Sequence, residues 1–447
     1  MRETTPLYLQ GLFAPVDDEI DAYDLPVIGE LPRELNGRYM RNGPNPEPGQ
    51  DTGSWVTGPG MVHSIRLRGG KAEWYHNRWV RTTLFNDDAP YIRNDYSIDY
   101  AAVPANTHIV PCHGKVFALF ESGMPYEMTV DLETIGPFNF GGMLKTGMTA
   151  HPKHDAVTGE LHFYHYGFRR PYLIYYRLST EGELVESREI EVPGPSMKHD
   201  FAVTSGHVIF LDLPVVFSAA RADDGLPYGW DDDYGARIGI MPMREGAPVT
   251  WYDIDPCFIF HTANAHEDAS GRIVLDAVRY SPSAFHSLWS QLQGGEPVNA
   301  AGLFGQGHLH RYVIDLAEGV SEEQLDGLDI EFPTFNEERV GDANRYLYAV
   351  STDGIVKYDH REGTAEFYKV GHDRLPGEAV FVQARGRRGE DEGWLISLVT
   401  GGEGAPSELL VLDARDLSHV ASVRLPRRVP VGLHGSWVPE EQDMNRA

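Results

Sequence analysis

Cysteine is nearly absent: Cys112 and Cys257 are the two in 447 residues, and they stand far apart. That excludes a disulfide framework and fits a reducing compartment, so the cytoplasm is the expected location. Long apolar runs are missing too. No stretch approaches the ~20 residues that a spanning helix needs, and Met1-Arg-Glu-Thr-Thr-Pro6 carries no apolar segment of signal-peptide length. Any membrane contact is therefore expected to be peripheral. Basic residues are scarce, with 38 Lys and Arg against 66 Asp and Glu and a formal net charge of −28. Such a chain repels nucleic acid unless a local basic patch intervenes, and none is visible. The same charge weakens docking on anionic lipid, which leaves hydrophobic contact as its way of meeting a membrane. No segment marks an obligate protein partner.

What is present points to an all-β fold. Hydrophobic residues make up 41% of the chain and charged ones 23%, enough for a large core. The length exceeds the usual ~150 residues per domain, but closed propellers do so as one unit. A single domain over 1–447 is expected, with about 25 N-terminal and about 8 C-terminal residues peripheral to it. Strand signals recur at Lys115–Phe120, Glu160–Tyr166, His207–Leu211, Arg272–Val278, Tyr346–Val350, Trp394–Val399 and Leu409–Leu412. Turn chemistry separates them, as at Asn36-Gly37, Thr158-Gly-Glu160, Asp353-Gly354 and Gly401-Gly402. Runs that close on Tyr and Asp, Arg311–Asp315 and Val356–Asp359, suggest an irregular repeat of blades rather than a sandwich. Ala284–Gln293 places Phe285, Leu288, Trp289 and Leu292 on one helical face, suited to the propeller rim, a tunnel mouth or a membrane surface. Ser321–Leu325 reads as one further helical turn.

Four histidines stand in distinctive settings: Thr149-Ala-His151-Pro, Lys198-His199-Asp-Phe201, Phe258-Ile-Phe-His261-Thr-Ala and Gly432-Leu-His434-Gly-Ser-Trp437. They are too dispersed for a zinc finger or a His-Glu-x-x-His helix. In a propeller, each inner strand can send one side chain to the axis, so distant residues converge there. Any one of the four alone reads as an ordinary core or surface histidine. Flanked by small and apolar residues, however, each ring would be partly buried and need a partner, and four such rings meeting are best explained by a metal. Imidazole suits iron, zinc, copper and nickel. Neutral rings leave the ion's charge uncompensated, so carboxylates should stand behind them. Glu121, Glu331 and Glu378, each against an apolar run, are the candidates. His63, His154, His165, His266 and His310 read as solvated or second-layer histidines.

At this point the chain resembles the carotenoid cleavage oxygenase family, from about Leu31 to Pro439. The motifs that carry the likeness begin with Leu35-Asn-Gly-Arg-Tyr-Met-Arg-Asn-Gly-Pro-Asn-Pro46, Gly60-Met-Val-His63 and Asn106-Thr107-His108. The four histidine segments and Pro376-Gly-Glu-Ala-Val-Phe-Val382 complete them. The resemblance implies a seven-bladed β-propeller whose loops and short helices cap one face. It also implies one Fe(II) per chain on the axis, held by His151, His199, His261 and His434, with dioxygen as cosubstrate. The family's glutamates behind the rings map onto Glu331, Glu378 and Glu121, with Glu127 the alternative to the last. Thr107 looks like the threonine whose methyl approaches an open iron position.

The implied reaction splits a carbon-carbon double bond of a lipophilic polyene, a carotenoid or apocarotenoid, into two carbonyl products. Positioning is then the protein's main task, through an aromatic tunnel to which Phe163–Tyr166, Phe217 and Tyr228–Tyr234 are candidates. One departure bears on substrate. Relatives that cleave hydroxylated stilbenes usually carry a lysine directly before the first of these glutamates, and here that place is Phe120. Without that buried cationic donor, an apolar polyene fits better than a phenolic alkene. Val56-Thr-Gly-Pro-Gly-Met61 stands where many relatives read Asp-Gly-Asp-Gly-Met, a change expected to be structural. Two rivals remain open: stilbene or phenylpropanoid cleavage on the same fold, and a propeller without activity that binds a partner on its rim.

Overall fold

The apolar runs form strands with ends within two residues of those read from the sequence: Lys115–Leu119, Leu161–Tyr166, His207–Asp212, Ile273–Tyr280, Tyr346–Ser351, Gly393–Val399 and Glu408–Asp413. This is a computed structural model, and it describes residues 5–221, 226–244, 246–294, 306–352, 354–402 and 404–440. Middle strands such as Leu161–Tyr166 are buried at every position, because neighbouring sheets cover both faces. Outer strands such as Leu184–Glu189 alternate between half-buried and exposed.

The strands assemble into a seven-bladed β-propeller, each blade an antiparallel sheet of four or five strands. The blades open with the strands His108–Cys112, Lys153–His154, Ala202–Val203, Phe258–Glu267, Ile330–Thr334, Val380–Gln383 and Gly435–Pro439. Several of these first strands pack on the first strand of the next blade, which places them around the axis. Gly435–Pro439 pairs with Gly37–Arg41, so one blade joins the two ends of the fold, and Val27–Gly29 completes its neighbour by pairing with His419–Arg424. Closure of this kind leaves only short, protected sheet edges.

The recurring Asp has a physical source. Asp315 Oδ1 accepts from the N–H groups of Ala317 (2.9 Å) and Glu318 (3.1 Å), and Asp359 Oδ1 from those of Arg361 (3.0 Å) and Glu362 (3.2 Å). Each aspartate closes the hairpin that follows it. Asp155 does the same for Val157 and Thr158, with Gly159 supplying the positive φ that ends the turn.

The amphipathic segment forms the helix Pro282–Leu292, with Ser281 accepting from the Ala284 N–H at 3.2 Å as its N-cap. Ser321–Leu325 is a correction: Gly319–Gln324 is a strand paired with His308–Asp315. Its Ser-Glu-Glu-Gln composition has little strand preference, and cross-strand pairing at the outside of the blade overrides it. Of the N-terminal residues placed at the periphery, Phe13 packs edge-on against Trp55 and Val16 is buried beside Asn45, which bonds its N–H and C=O. Of the eight C-terminal residues set apart in the same way, 441–447 lie outside the described residues. Among the described residues no helix is long and apolar enough to cross a membrane.

Candidate metal centre

Each blade delivers one side chain to the axis at the start of its first strand. In chain order these are Thr107, His151, His199, His261, Glu331, Glu378 and His434, lying in the strand or at most three residues before it. The arrangement explains why no local motif announces the site. Register shifts within Phe258–Glu267 and Ile330–Thr334, on either side of His261 and next to Glu331, bend these two strands where their functional residues leave them. Phe332 has φ of 50°, in the left-handed region, and its ring packs against both His261 and His434.

The four histidines meet. One ring nitrogen from each lies within 4.8 Å of all the others. Nε2 of His199 is 3.1 Å from that of His151 and 3.2 Å from that of His261, which is 3.1 Å from Nε2 of His434. The opposite nitrogens of three rings face carboxylates. His261 Nδ1 is 2.5 Å from Glu331 Oε2, His434 Nδ1 is 3.0 Å from Glu378 Oε1, and His199 Nδ1 contacts Glu121 Oε1. A proton on Nδ1 leaves Nε2 as a bare lone pair, so three such atoms point into one small space. Lone pairs at these separations repel unless a cation accepts them all. Burial, reinforced by the neighbouring imidazoles, holds His151 and His434 well below the usual histidine range, so both are neutral at pH 7. The donor set therefore fits a metal ion, and three carboxylates stand behind it to balance its charge.

The carboxylates are held in turn. Tyr280 donates to Glu331 Oε1 at 3.0 Å, the Gly435 N–H donates to Glu378 Oε2 at 2.9 Å, and the Tyr166 hydroxyl donates to Glu121 Oε2. Burial works to raise Glu331, but the facing His261, the Phe332 N–H and Tyr280 together carry it below the usual carboxylate range. Glu127, the alternative to Glu121, pairs instead with Lys115 on the next strand and is not part of the centre. Thr107 is buried, with its hydroxyl donating to Asn106 Oδ1 at 3.1 Å.

A cavity of about 510 Å³ ends at this cluster, bounded there by Thr107, His199, His261 and His434. His151 is the one ring of the four that does not line it. The walls are overwhelmingly apolar, and Phe120 is among them. Of the aromatic residues expected in a tunnel, Tyr166, Phe217 and Tyr228 line the cavity, while Phe163, Tyr164, Trp230 and Tyr234 do not. The helix Pro282–Leu292 lines it through Leu288, Trp289 and Leu292, so its apolar face serves the cavity.

None of His63, His154, His165, His266 and His310 joins the cluster. His63, His165 and His310 are buried rather than solvated, with His63 Nδ1 2.8 Å from the Tyr75 hydroxyl and His310 Nε2 3.2 Å from Glu322. The sequence reading missed His108, whose ring centroid lies 5.1 Å from that of His434 and 6.0 Å from that of His151. Burial, and then His434, lowers it to about 4, and its Nδ1 is 2.9 Å from the Ala150 carbonyl. It is a neutral neighbour of the centre. Its place beside Thr107 at the start of an inner strand was the available signal.

The comparisons with known proteins agree with this geometry. The family model described as retinal pigment epithelial membrane protein matches residues 13–439. A carotenoid cleavage oxygenase of Mycobacterium tuberculosis is 36% identical, over 97% of each chain. Among solved structures, lignostilbene dioxygenase of Pseudomonas brassicacearum superposes with a TM-score of 0.84 at 26% identity, covering 97% of this chain and 99% of that one. Cobalt-substituted apocarotenoid oxygenase of Synechocystis superposes with a TM-score of 0.80 at 26% identity, covering 95% and 97%.

Proposed function

This chain belongs to the RPE65/carotenoid cleavage oxygenase family, and on that premise we propose that it is an iron(II)-dependent dioxygenase that cleaves one double bond of a carotenoid or apocarotenoid into two carbonyl products. One observation carries the reading: four imidazoles converge, and three of them line an apolar cavity. Fe(II) bound by His151, His199, His261 and His434 supplies a redox-active ion with positions free for dioxygen.

The chain's own residues do the rest. Glu121, Glu331 and Glu378 fix the tautomer of three rings and keep their Nε2 lone pairs turned inward. Asn106 holds the Thr107 hydroxyl and is itself anchored through Nδ2 to the carbonyls of Val56 (2.8 Å) and Gly58 (2.6 Å). With that hydroxyl held, Thr107 lines the cavity beside the histidines, where its methyl would stand near a bound metal. The cavity walls exclude water and align an extended polyene so that one bond lies over the histidines. We propose that a lipophilic substrate enters from a lipid phase past Ile92, which lines the cavity and is 45% exposed, and that a cytoplasmic protein meets that phase peripherally.

Phe120 favours polyenes over stilbenes, because a phenolic oxygen placed beside it meets a benzyl group where a cation would be needed. The test is product analysis after the iron-loaded protein is offered apocarotenals and hydroxystilbenes under oxygen. Aldehydes from the polyenes are expected; cleavage confined to hydroxystilbenes would transfer the assignment to the rival. In the same assay, Phe120→Lys should lower turnover of apocarotenals by at least about tenfold, since it sets an ammonium in an apolar wall. Undiminished turnover would remove Phe120 from the substrate's path.

A further inference from the structure

Four tyrosines line the cavity, and three of their hydroxyls are committed to the protein. Tyr91 donates to the Ser122 carbonyl at 3.2 Å, Tyr166 to Glu121, and Tyr280 to Glu331 at 3.0 Å. The fourth, Tyr228, has no hydrogen-bond partner for its hydroxyl among the described residues. That oxygen is also absent from the unpartnered polar atoms sealed inside the protein, so it opens onto the cavity its ring lines. An uncommitted O–H on an apolar wall is costly unless a ligand satisfies it.

The ring that carries this hydroxyl is held from three sides. Tyr228 pairs with Phe217 across a two-stranded sheet, and its ring meets that of Phe217 edge-on at 5.7 Å. It meets the Tyr166 ring at 6.3 Å, also edge-on, and its backbone carbonyl accepts from Trp289 Nε1 at 3.0 Å. A donor fixed in this way is pre-organised, and no side chain has to be ordered when an acceptor arrives. Its distance from the reacting bond is also set by the protein. Tyr228 touches Tyr166, which bonds Glu121, which backs His199, so three contacts tie the donor to the metal centre.

We propose that Tyr228 is a positioning residue that donates a hydrogen bond to a neutral oxygen of the substrate, a hydroxyl or an aldehyde carbonyl, and so selects oxygenated polyenes and sets which double bond lies over the histidines. The inference rests on the polyene reading above and deepens it. The acceptor is a neutral oxygen because no Lys or Arg side chain lines the cavity to pair with a carboxylate, while Glu121 lies close enough to repel one. Burial and that same carboxylate keep the phenol protonated far above neutral pH, so it donates throughout the working range.

The variant Tyr228→Phe keeps the ring and its edge-on contacts and removes only the oxygen. Trp55 and Trp289 line the cavity, so quenching of tryptophan fluorescence reports binding independently of turnover. Three ligands serve as arms: an apocarotenal, a carotene hydroxylated on its ring, and the hydrocarbon β-carotene. Kd and KM should rise roughly tenfold for whichever oxygenated ligand supplies the acceptor, with kcat changed far less and β-carotene unaffected. The apocarotenal and hydroxycarotene arms show which oxygen is bound, and scrambling of the cleaved bond in that arm should accompany the loss. The proposal is overturned by unchanged constants in every arm, or by an equal rise for β-carotene, which would mark Tyr228 as merely structural. If the wild-type protein cleaves none of the polyenes, the function proposed above fails with it. If the wild-type cleaves them and Tyr228→Phe behaves identically, this inference alone fails.

Discussion

Purified His261→Ala protein is expected to retain no iron and to lose turnover by more than about 100-fold while staying folded, a larger effect than the 10- to 100-fold usual for groups that only orient a ligand. His261 is the linking ring of the cluster: its Nε2 lies 3.2 Å from that of His199 and 3.1 Å from that of His434. Its removal deletes one ligand and also strands Glu331, a carboxylate only 4% exposed, with Tyr280 and the Phe332 N–H as its remaining partners. The stranded carboxylate still attracts a cation but cannot replace the missing lone pair, so metal loss dominates. Several apolar clusters that hold the blades include no residue touching His261, so circular dichroism should stay near wild-type. His154→Ala, at an exposed ring outside the cluster, is the matched control and should keep both iron and activity. Retention of iron by His261→Ala at wild-type stoichiometry would remove this ring from the ligand set.

Glu331→Gln should lower turnover by about 10- to 100-fold without unfolding the chain. The amide oxygen can still accept from His261 Nδ1, so the tautomer survives, but the negative charge that balances the ion is gone. The Oε2 that faces His261 Nδ1 also accepts from the Phe332 N–H, so the amide oxygen serves both. The amide nitrogen replaces the oxygen that accepts from Tyr280, whose hydroxyl can turn to accept; the charge is what is lost. Iron occupancy should therefore fall along with kcat, and excess Fe(II) should recover part of the activity. Tyr280→Phe removes a single hydrogen bond to the same carboxylate and should cost less, within about tenfold. Wild-type kcat and metal content in Glu331→Gln would show that the carboxylate is a bystander.

Much of the site was legible because a propeller turns a spatial cluster into a sequence rhythm. His151, His199, His261 and His434 each stand inside, or within three residues of, a short run that proves to be the first strand of a blade. Glu331 and Glu378 were readable for the same reason. Glu121 was not separable from Glu127 by pattern, because it comes from the loop after Lys115–Leu119, where a few residues of loop length decide which carboxylate turns inward. Tyr166 and Tyr280 lie in middle strands of their blades, and whether such a residue reaches a neighbouring glutamate depends on blade-to-blade packing that periodicity does not encode. Ser321–Leu325 was misread because an outer strand with one exposed face has a composition set by solvent rather than by its partner. The cavity was the least visible feature. Trp55, Phe120, Phe217 and Trp289 come from a short 3-10 helix, a loop, a two-stranded sheet and an α-helix, and only the folded cap brings them together.

The central claim is that four dispersed imidazoles hold one redox-active ion, and metal analysis joined to X-ray absorption at the iron edge tests it most directly. Protein purified with Fe(II) should carry one iron per chain, with a first shell dominated by imidazole nitrogen and free of sulfur. Protein that takes up no metal, or whose iron stays equally bound when the cluster histidines are replaced, would contradict the account.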